Sequence, residues 1–389
     1  MPKYALIYGT RPELVKFAPL VYELQRRKLP FFTIHTGQHN GRAMNDALRQ
    51  ELALPAPAYQ LHHSSSLFSV GDGAPPLAQI LGMERPDVVL VQGDTNSTLA
   101  GALAAKAAGV KLAHVEAGLR GGETFTREEQ NTIRIAQLAN FHFAPCLRAV
   151  ANLRLEGVAD SIYFVGNTIV DITLRRVEQL REGEVSAILH QYSVTGKRFV
   201  LFTTHKAEIV DEPANLRKIC EILQALARLG LPILLPLHPR TQDLLIRHGV
   251  ALPEAANLHI LPPLSYRDFL VLEKEALCLI TDGGGVQEEC CALGTPVLVI
   301  KNATQRPCVV DVGAATICGL DPERLVWEVQ ALLAATTPRR WVNPFGKGDA
   351  AQQIIALLEK QLASPTQATA AQPSSWAEPT FPGGEAWLS

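Results

Sequence analysis

A strand–helix–strand unit in the first third of the chain restricts the fold more than any other feature. The apolar runs DVVLVQGD and VKLAHVE end at Asp94 and Glu116, and residues 95–108 between them have a helical pattern. Such a unit makes two parallel neighbouring strands with a right-handed crossover. Because ligands of open parallel sheets bind outside the carboxyl ends of the strands, we expect Asp94 and Glu116 at one rim.

Both acids also have simpler explanations. Asp94 in GDTNST is of the type that caps helix N-termini, and Glu116 has Arg120 nearby for a salt bridge. Several carboxylates at one rim indicate instead acid–base chemistry or a cation site. Three further acids follow closely in the chain: Glu123, Glu128 and Glu129.

The composition is that of a globular protein of 389 residues, long enough for about two domains. The 36 Lys and Arg against 38 Asp and Glu give a net charge of −2, which indicates neither nucleic acid nor an anionic membrane as a partner. We see no signal peptide and no apolar run that would span a bilayer, and therefore expect a cytoplasmic protein. The cysteines lack metal-ligand spacing, which favours free thiols in a reducing compartment: Cys146, Cys220, Cys278, Cys290, Cys291, Cys308 and Cys318.

Strands alternate with helices along nearly the whole chain. The pattern predicts an α/β fold of two doubly wound, Rossmann-like domains that face each other across a cleft. We place the N-terminal domain, with the acid–base carboxylates, at residues 1–170, and the phosphate-binding C-terminal domain at 171–349. A helix at 350–362 would cross back to the first domain, and residues 363–389 form a low-complexity tail. Residues 55–69 are expected to be an irregular surface loop.

A three-glycine turn is the strongest local indication of a phosphate site. A strand at residues 276–281 runs into Asp282, Gly283, Gly284 and Gly285, and a helix pattern follows. Glycines allow close approach to the backbone, and a helix N-terminus offers N–H groups to phosphate. Glu289, one turn into that helix, is placed to hold ribose hydroxyls. The chain has neither a dinucleotide fingerprint nor a P-loop, so NAD and ATP are not expected, and a purely structural turn is the alternative.

Imidazole and basic side chains follow other strands at the same rim. In the second half these are His205 with Lys206, His238 with Arg240, and Arg306. Their placement around a glycine-rich helix start favours an anion site. A diphosphate bound there would extend toward the strand ends of the first half, which carry Arg11, Gln38, His39, Asp94 and Glu116.

A series of motifs, in order from residue 9 to about 360, resembles the non-hydrolysing UDP-N-acetylglucosamine 2-epimerases. They are GTRPELVKFAPL, TGQH, VQGDTNSTLAGALAA, HVEAGLR, REEQN, GNTIVD, THKAE, PLHPRT, LITDGGGVQEE and QRP. The resemblance implies the two-domain glycosyltransferase-B fold, a homodimer, and UDP bound by the C-terminal domain. It also implies a reaction that needs no cofactor and no metal: UDP is eliminated to leave a glycal, then adds back with the second carbon of the sugar inverted.

The same resemblance assigns roles to individual residues. Asp94, Glu116 and Glu128 match the acid–base carboxylates, and we count His205 with these catalytic groups. The positions matched to substrate binding are Arg11, Lys16, Gln38, His39, His238, Arg240, Gly283, Gly284, Gly285, Glu289 and Arg306. Among these, Gln38, His39 and His238 fall where some relatives hold a second, activating substrate molecule.

Four departures from the family pattern keep other functions open. The family usually has Ser, Arg, Glu and Arg where this chain has Gly283, Lys206, Gln305 and Thr132. The retained carboxylates favour an epimerase that converts UDP-N-acetylglucosamine to the manno sugar for surface polysaccharide precursors. The altered phosphate positions favour, as one alternative, a glycosyltransferase or hydrolase that uses a UDP-sugar. The changes at Gly283 and Thr132 leave room for another, a non-catalytic homologue that binds one.

Overall fold

Seven parallel strands of the first half form one sheet. The computed structural model describes residues 1–38, 42–61, 68–121, 126–337 and 339–363. The strands are β1 (Tyr4–Tyr8), β2 (Phe31–His35), β3 (Tyr59–Gln60), β4 (Val88–Gln92), β5 (Lys111–Val115), β6 (Phe141–Ala144) and β7 (Ile162–Phe164), in the order β3-β2-β1-β4-β5-β6-β7. The short edge strand β3 lies in the segment that the sequence predicts to be irregular, so that prediction is wrong at these two residues.

Six parallel strands of the second half form another sheet. They are β8 (Val200–Thr203), β9 (Ile233–Pro236), β10 (Leu258–Leu261), β11 (Cys278–Thr281), β12 (Val297–Val299) and β13 (Ala315–Ile317), in the order β10-β9-β8-β11-β12-β13. The predicted α/β fold of two doubly wound sheets is confirmed. Each sheet has one point where the strand order reverses, between β1 and β4 and between β8 and β11. Ligands of such sheets bind at these switch points.

Helices connect the strands. In the first half these are α1 (Arg11–Arg26), α2 (Arg42–Glu51), α3 (Val70–Glu84), α4 (Asn96–Ala107), α5 (Arg127–Leu138), α6 (Leu147–Leu155), α7 (Thr168–Gln179) and α8 (Glu182–Gln191). The second half has α9 (Ala207–Val210), α10 (Pro213–Ala227), α11 (Pro239–Arg247), α12 (Tyr266–Glu275), α13 (Gly284–Leu293), α14 (Pro307–Asp311), α15 (Pro322–Ala334) and α16 (Ala350–Ala363). Within the described ranges, no helix is both long and apolar enough to cross a membrane.

The strands beside the first switch point are apolar because both faces of the sheet are covered. All five residues of β4 are buried, as expected of a central parallel strand between helices. Helix α4, rich in alanine, packs closely over this strand. At Gly101 an added Cβ would lie only 2.9 Å from Val91 Cγ1, so the close contact requires glycine. This packing fixes the start of α4, and with it the loop that carries Asp94.

The last described helix returns to the first half. Helix α16 packs against α1 and α7, and Arg27 of α1 forms an ion pair with Glu359. The carboxylate of Asp171 on α7 accepts hydrogen bonds from the N–H groups of Ala350 and Ala351, at 3.1 and 2.7 Å. Because α7 also packs against α13, it contacts both halves, and the predicted domain boundary near residue 170 stays a prediction.

Candidate active site

A buried carboxylate on α1 ties together two loops at the first switch point. Glu13 is 2% exposed, and both of its oxygens accept hydrogen bonds. The donors, at 2.7–2.9 Å, are the N–H groups of Gly9 and Thr10 and the hydroxyls of Thr10, Thr95 and Thr98. Burial raises the pKa of Glu13, and these donors counteract that effect. One loop leads into Arg11 at the start of α1 and the other carries Asp94, so Glu13 sets the spacing of these predicted site residues.

Glu116 follows β5 in a left-handed backbone conformation and is bound on several sides. Its φ of 68° is uncommon for a residue other than glycine. Lys16 Nζ lies 2.6 and 2.7 Å from its two oxygens, and Arg306 Nη2 lies 2.9 Å from Oε1. The side-chain amides of Gln92 and Asn167 donate further hydrogen bonds. Burial disfavours ionisation, but the two cations outweigh it and lower the pKa of Glu116 to about 2.

A second buried carboxylate, Glu288 on α13, completes this group of charges. Its Oε1 lies 2.7 Å from Arg306 Nε, and its Oε2 lies 3.4 Å from Lys16 Nζ. The Asn167 amide donates to Glu288 at 2.9 Å and to Glu116 at 3.1 Å. We call Lys16, Glu116, Asn167, Glu288 and Arg306 the charge cluster. Its two cations and two carboxylates balance, and they come from both halves of the chain.

Asp94 lies beside this cluster at the end of β4 and is partly buried. None of the described residues donates a hydrogen bond to its carboxylate. Its backbone is held instead: His114 Nε2 lies 2.8 Å from the Gly93 carbonyl, and Asn131 donates to the Asp94 carbonyl at 3.0 Å. Burial raises the pKa of Asp94 despite the attraction of Arg306. A carboxylate with a raised pKa and open oxygens is suited to proton transfer.

The simpler explanations for the two acids are wrong. The N-cap of α4 is Thr95, so the side chain of Asp94 does not cap this helix. Arg120 forms its ion pair with Glu156, at 2.5 Å, and not with Glu116. The sequence therefore predicts the rim position of both acids correctly, but Glu116 has a cationic partner from the other half of the chain.

In the second half, Asp282 organises the loop after β8. Its buried carboxylate accepts from the Thr204 hydroxyl at 2.7 Å and from the N–H groups of His205 and Lys206, each at 2.9 Å. The His205 ring stacks on the His238 ring, with centroids 5.2 Å apart and an interplanar angle of 27°. Burial lowers the pKa of His205, which favours the neutral form of its ring. The two histidines thus meet at the second switch point.

The N-terminus of α13 opens beside the Arg306 guanidinium. A Cβ added to Gly284 would lie 3.6 Å from Arg306 Cζ, and around one added to Gly285 the described residues place no heavy atom within 4 Å. The first N–H groups of a helix have no acceptor within it. An anion at this position therefore meets both helix N–H groups and a guanidinium. No group of three or more His, Cys, Asp or Glu in the described part of the chain is arranged to hold a metal ion.

Comparison with known proteins agrees with this geometry. A family model described as UDP-N-acetylglucosamine 2-epimerase matches residues 22–359. The chain belongs to this family. The UDP-N-acetylglucosamine 2-epimerase of Methanocaldococcus jannaschii is 37% identical over 362 residues, which cover 92% of this chain and 98% of the relative.

Solved structures of the family superpose over almost their whole length. The crystal structure of the M. jannaschii UDP-GlcNAc 2-epimerase in complex with UDP-GlcNAc and UDP has a TM-score of 0.83 at 36% identity, covering 92% of this chain and 99% of that one. The UDP-GlcNAc 2-epimerase from Neisseria meningitidis bound to UDP-GlcNAc has a TM-score of 0.81 at 28% identity, covering 92% and 100%. The resemblance seen in the motifs is confirmed.

The family motif assigns a catalytic role to Glu128, but in the structure the next residue, Glu129, is the buried one. Glu128 is exposed on the first turn of α5, whereas Glu129 is 8% exposed. Successive helix residues point about 100° apart, so the two acids do not face the same side. The Glu129 Oε2 atom lies 3.4 Å from where a Cβ on Gly121 would be, and burial raises the pKa of Glu129. The role of Glu128 stays a prediction, and Glu129 becomes a further candidate.

Glu289, predicted to bind ribose, is buried on α13. The Tyr266 hydroxyl donates to its Oε1 at 2.8 Å. Burial raises the pKa of Glu289 to about 7, so both protonation states are populated near neutral pH. Its neighbour Glu288 points instead into the charge cluster, and the ribose contact of Glu289 stays a prediction.

Gln38 lies at the first switch point, where its Oε1 accepts from the Ser97 N–H at 3.0 Å and from the Ser97 hydroxyl at 2.7 Å. These bonds fix Gln38 to the start of α4, near Asp94. His39 lies outside the described residues. The predicted contact of Gln38 with a second substrate molecule is not tested by this arrangement.

His238 and Arg240 belong to the start of α11. His238 is the N-cap, and its Nδ1 accepts from the Arg240 N–H at 3.1 Å. The Arg240 guanidinium pairs with Asp211 at 2.6 Å, and both side chains are 46% exposed. The structure therefore engages Arg240 in a surface ion pair, and its predicted role in substrate binding stays a prediction.

The departures from the family pattern fall into distinct environments. Thr132 is buried and accepts a hydrogen bond from Arg120 Nη1 at 3.4 Å, whereas Arg134, a nearby base in sequence, is exposed. At Gly283 a Cβ would lie 3.2 Å from Val286 Cγ2 and 3.4 Å from His205 Cε1, which is tight but has no backbone obstacle. The family serine would thus fit here with small adjustments.

Sequence reasoning missed some residues that organise the site. They are Glu13, Gln92, Asn167, Asp282 and Glu288. Asn167 and Asp282 each come after a strand at the rim, which is the signal that identified Asp94 and Glu116. Nothing in the sequence distinguishes Glu288 from Glu289, because both lie in the first turns of one buried helix.

Proposed function

We propose that this protein interconverts UDP-N-acetylglucosamine and UDP-N-acetylmannosamine by eliminating UDP and adding it back. The proposal rests on family membership and on one observation in particular. The open carboxylate of Asp94 lies beside a charge cluster whose Arg306 flanks an open helix N-terminus. A proton-transfer group and a diphosphate site therefore meet across the two halves, as this reaction requires.

The nucleotide end of the substrate would occupy the second half. Helix N–H groups at Gly284 and Gly285, together with Arg306 and His205, would hold the diphosphate, with Glu289 toward the ribose. These groups are fixed before substrate arrives, because Asp282 holds the His205 loop and Glu288 holds the guanidinium. Preorganised donors stabilise the negative charge that builds up on UDP as it leaves.

The chemistry would take place at the first switch point. A base removes the proton from C2 while the bond between C1 and the diphosphate oxygen breaks, which gives the glycal and UDP. In the return step the C1–O bond re-forms, and C2 receives a proton on its opposite face. Asp94 is the favoured proton-transfer group because its oxygens are open and its pKa is raised. Inversion calls for a second acid on the other face, and Glu116, Glu128 and Glu129 are the candidates.

One result favours a second candidate function. Glu116 is held between two cations with a pKa of about 2, which makes it a weak proton acceptor at pH 7. With the family serine replaced by Gly283 as well, the same cleft could serve a UDP-sugar hydrolase or glycosyltransferase, in which water or a sugar acceptor attacks C1 as UDP leaves.

A single experiment separates these functions. The protein is incubated with UDP-N-acetylglucosamine in heavy water, and the sugar is followed by NMR. A manno product with deuterium at C2 supports the epimerase. Free UDP and free sugar without the epimer support the hydrolase and contradict our proposal. Saturable binding with no change in the substrate indicates a non-catalytic homologue and contradicts the epimerase and the hydrolase.

We further propose a cytoplasmic homodimer that supplies the manno sugar for surface polysaccharide precursors. The support is the family membership and the nature of the product. Light scattering of the purified protein tests the dimer, since a monomer near 42.3 kDa at micromolar concentration would contradict it. Cell fractionation tests the location, and the loss of polysaccharide in a strain lacking the protein tests the role.

A further inference from the structure

Two cysteines from different halves of the chain face each other next to the candidate site. Cys146 is the N-cap of α6, just after β6, and Cys308 is the second residue of α14. Their Sγ atoms lie 2.6 Å apart in a hydrogen bond, and both are free thiols. They are 162 positions apart in the sequence, so only the packing of the two halves brings them together.

This contact is closely connected to the charge cluster. Cys308 lies two residues after Arg306, whose guanidinium pairs with Glu116 of the first half. At the surface of the same contact, Arg148 of α6 pairs with Asp311 of α14 at 3.0 Å. That ion pair is half exposed and adds little stability. A covalent bond between the two sulfurs would instead fix the segment that carries Arg306 against the first half.

We propose that Cys146 and Cys308 form a thiol–disulfide exchange site that cross-links the two halves in the presence of a small-molecule disulfide. The Cys146 thiolate attacks the reagent, forms a mixed disulfide and releases one thiol. Cys308 then loses its proton and attacks the Cys146 sulfur, which releases the second thiol. Two protein thiols are oxidised to one disulfide, and one reagent disulfide is reduced to two thiols.

The pKa values of the two thiols shift in opposite directions. The hydrogen bond between the two sulfurs lowers the pKa of the Cys146 thiol, although burial opposes it. The same bond, together with burial, raises the pKa of Cys308. Cys146 is therefore the attacking thiol, and Cys308 resolves the mixed disulfide.

Access depends on separation of the halves. Cys146 is 1% and Cys308 5% exposed, so a reagent reaches them when α6 and α14 move apart. The partly exposed Cys220 is a suitable control because it reacts without such opening and lies in the second half alone.

The test uses the full chain and hydroxyethyl disulfide as the probe. After incubation, the peptides are mapped by mass spectrometry without reduction, and Tm is measured. We expect a disulfide-linked Cys146–Cys308 peptide, so that two of the seven thiols of the chain are lost at this contact. We also expect Tm to rise by at least about 2 °C and dithiothreitol to reverse the rise. Cys220→Ala keeps the Tm response, whereas Cys146→Ala and Cys308→Ala each abolish it. The proposal is overturned if Cys146 and Cys308 both stay reduced while Cys220 is modified. It is also overturned if the reagent modifies Cys146 and Cys308 separately, without a bond between them.

A second readout rests on the proposed function. A cross-link that prevents the halves from separating should slow turnover at least tenfold, with recovery after reduction. If peptide mapping shows that all of the protein carries the disulfide, and turnover is still within twofold of the reduced protein, the cross-link does not restrain turnover. If the reduced protein has no epimerase activity, the proposed function fails, while the peptide map and Tm still decide whether the cross-link forms.

Discussion

The substitution Asp94→Asn tests the proposed mechanism most directly. It replaces a carboxylate with an amide of nearly the same shape, at a side chain to which no described residue donates a hydrogen bond. Folding should therefore tolerate it, with a change in the free energy of unfolding below about 1 kcal/mol. Loss of a general acid–base group lowers turnover by about 10²–10⁴-fold, which corresponds to roughly 2.7–5.4 kcal/mol on the barrier.

The assay follows both the manno product and deuterium at C2 in heavy water, with UDP affinity measured by calorimetry. We expect kcat to fall at least 100-fold while the Kd for UDP stays within about threefold, because the diphosphate groups are on the other half. Asp243→Asn, at an exposed aspartate on α11, is the matched control. A kcat for Asp94→Asn within fivefold of wild type would remove Asp94 from proton transfer. An equal loss of UDP affinity would show that it orders the phosphate site.

Three further substitutions test other parts of the structure. Glu116→Gln leaves Glu288 as the one carboxylate that balances the two buried cations of the charge cluster. Urea denaturation should show a loss of about 3–5 kcal/mol in the free energy of unfolding, and turnover should fall at least 100-fold. A stability near that of the wild type would contradict the charge cluster. Gly283→Ser restores a family hydroxyl at the diphosphate, so calorimetry should show two- to tenfold tighter UDP binding, about 0.4–1.4 kcal/mol. Gly283→Ala should not give this gain. Burial lowers the pKa of His114 to about 3, below its unfolded value near 6.5. The stability that neutral His114 contributes is present above pH 6.5 and is lost as the pH falls. Between pH 8 and 5 the free energy of unfolding of the wild type should therefore drop by about 2 kcal/mol more than that of His114→Gln. If His114→Gln shows the same pH dependence as the wild type, as we expect of the exposed control His248→Gln, the reasoning is refuted.

The fold could be predicted from the sequence because each strand and helix is indicated by a pattern of neighbouring residues. Buried parallel strands are short apolar runs, and each is followed by polar residues of the rim, such as Asp94, Glu116 and His205. Strands that carry few residues were harder to predict: β3 has only two residues, at a sheet edge. Its segment has too few apolar positions for a period of two to show.

The partners of the site residues could not be predicted in the same way. The contact between Glu116 and Arg306 joins residues 190 positions apart and depends on how the halves pack, which no local pattern encodes. The choice between Glu128 and Glu129 depends on where α5 begins. Its N-cap is Thr126, and a start one residue later would rotate the helix face by about 100°.

The pairing of Glu116 bears on how the site works once a diphosphate is present. Arg306 is shared between two carboxylates, and it also lies beside the open N-terminus of α13. A diphosphate at that helix would attract the guanidinium with more charge than one carboxylate does. To the extent that Arg306 turns toward it, Glu116 loses one of the two cations that lower its pKa. Substrate binding would then make Glu116 a stronger base at the moment when a proton must be taken, which reconciles its ion pairs with the catalytic role that the family motif assigns to it.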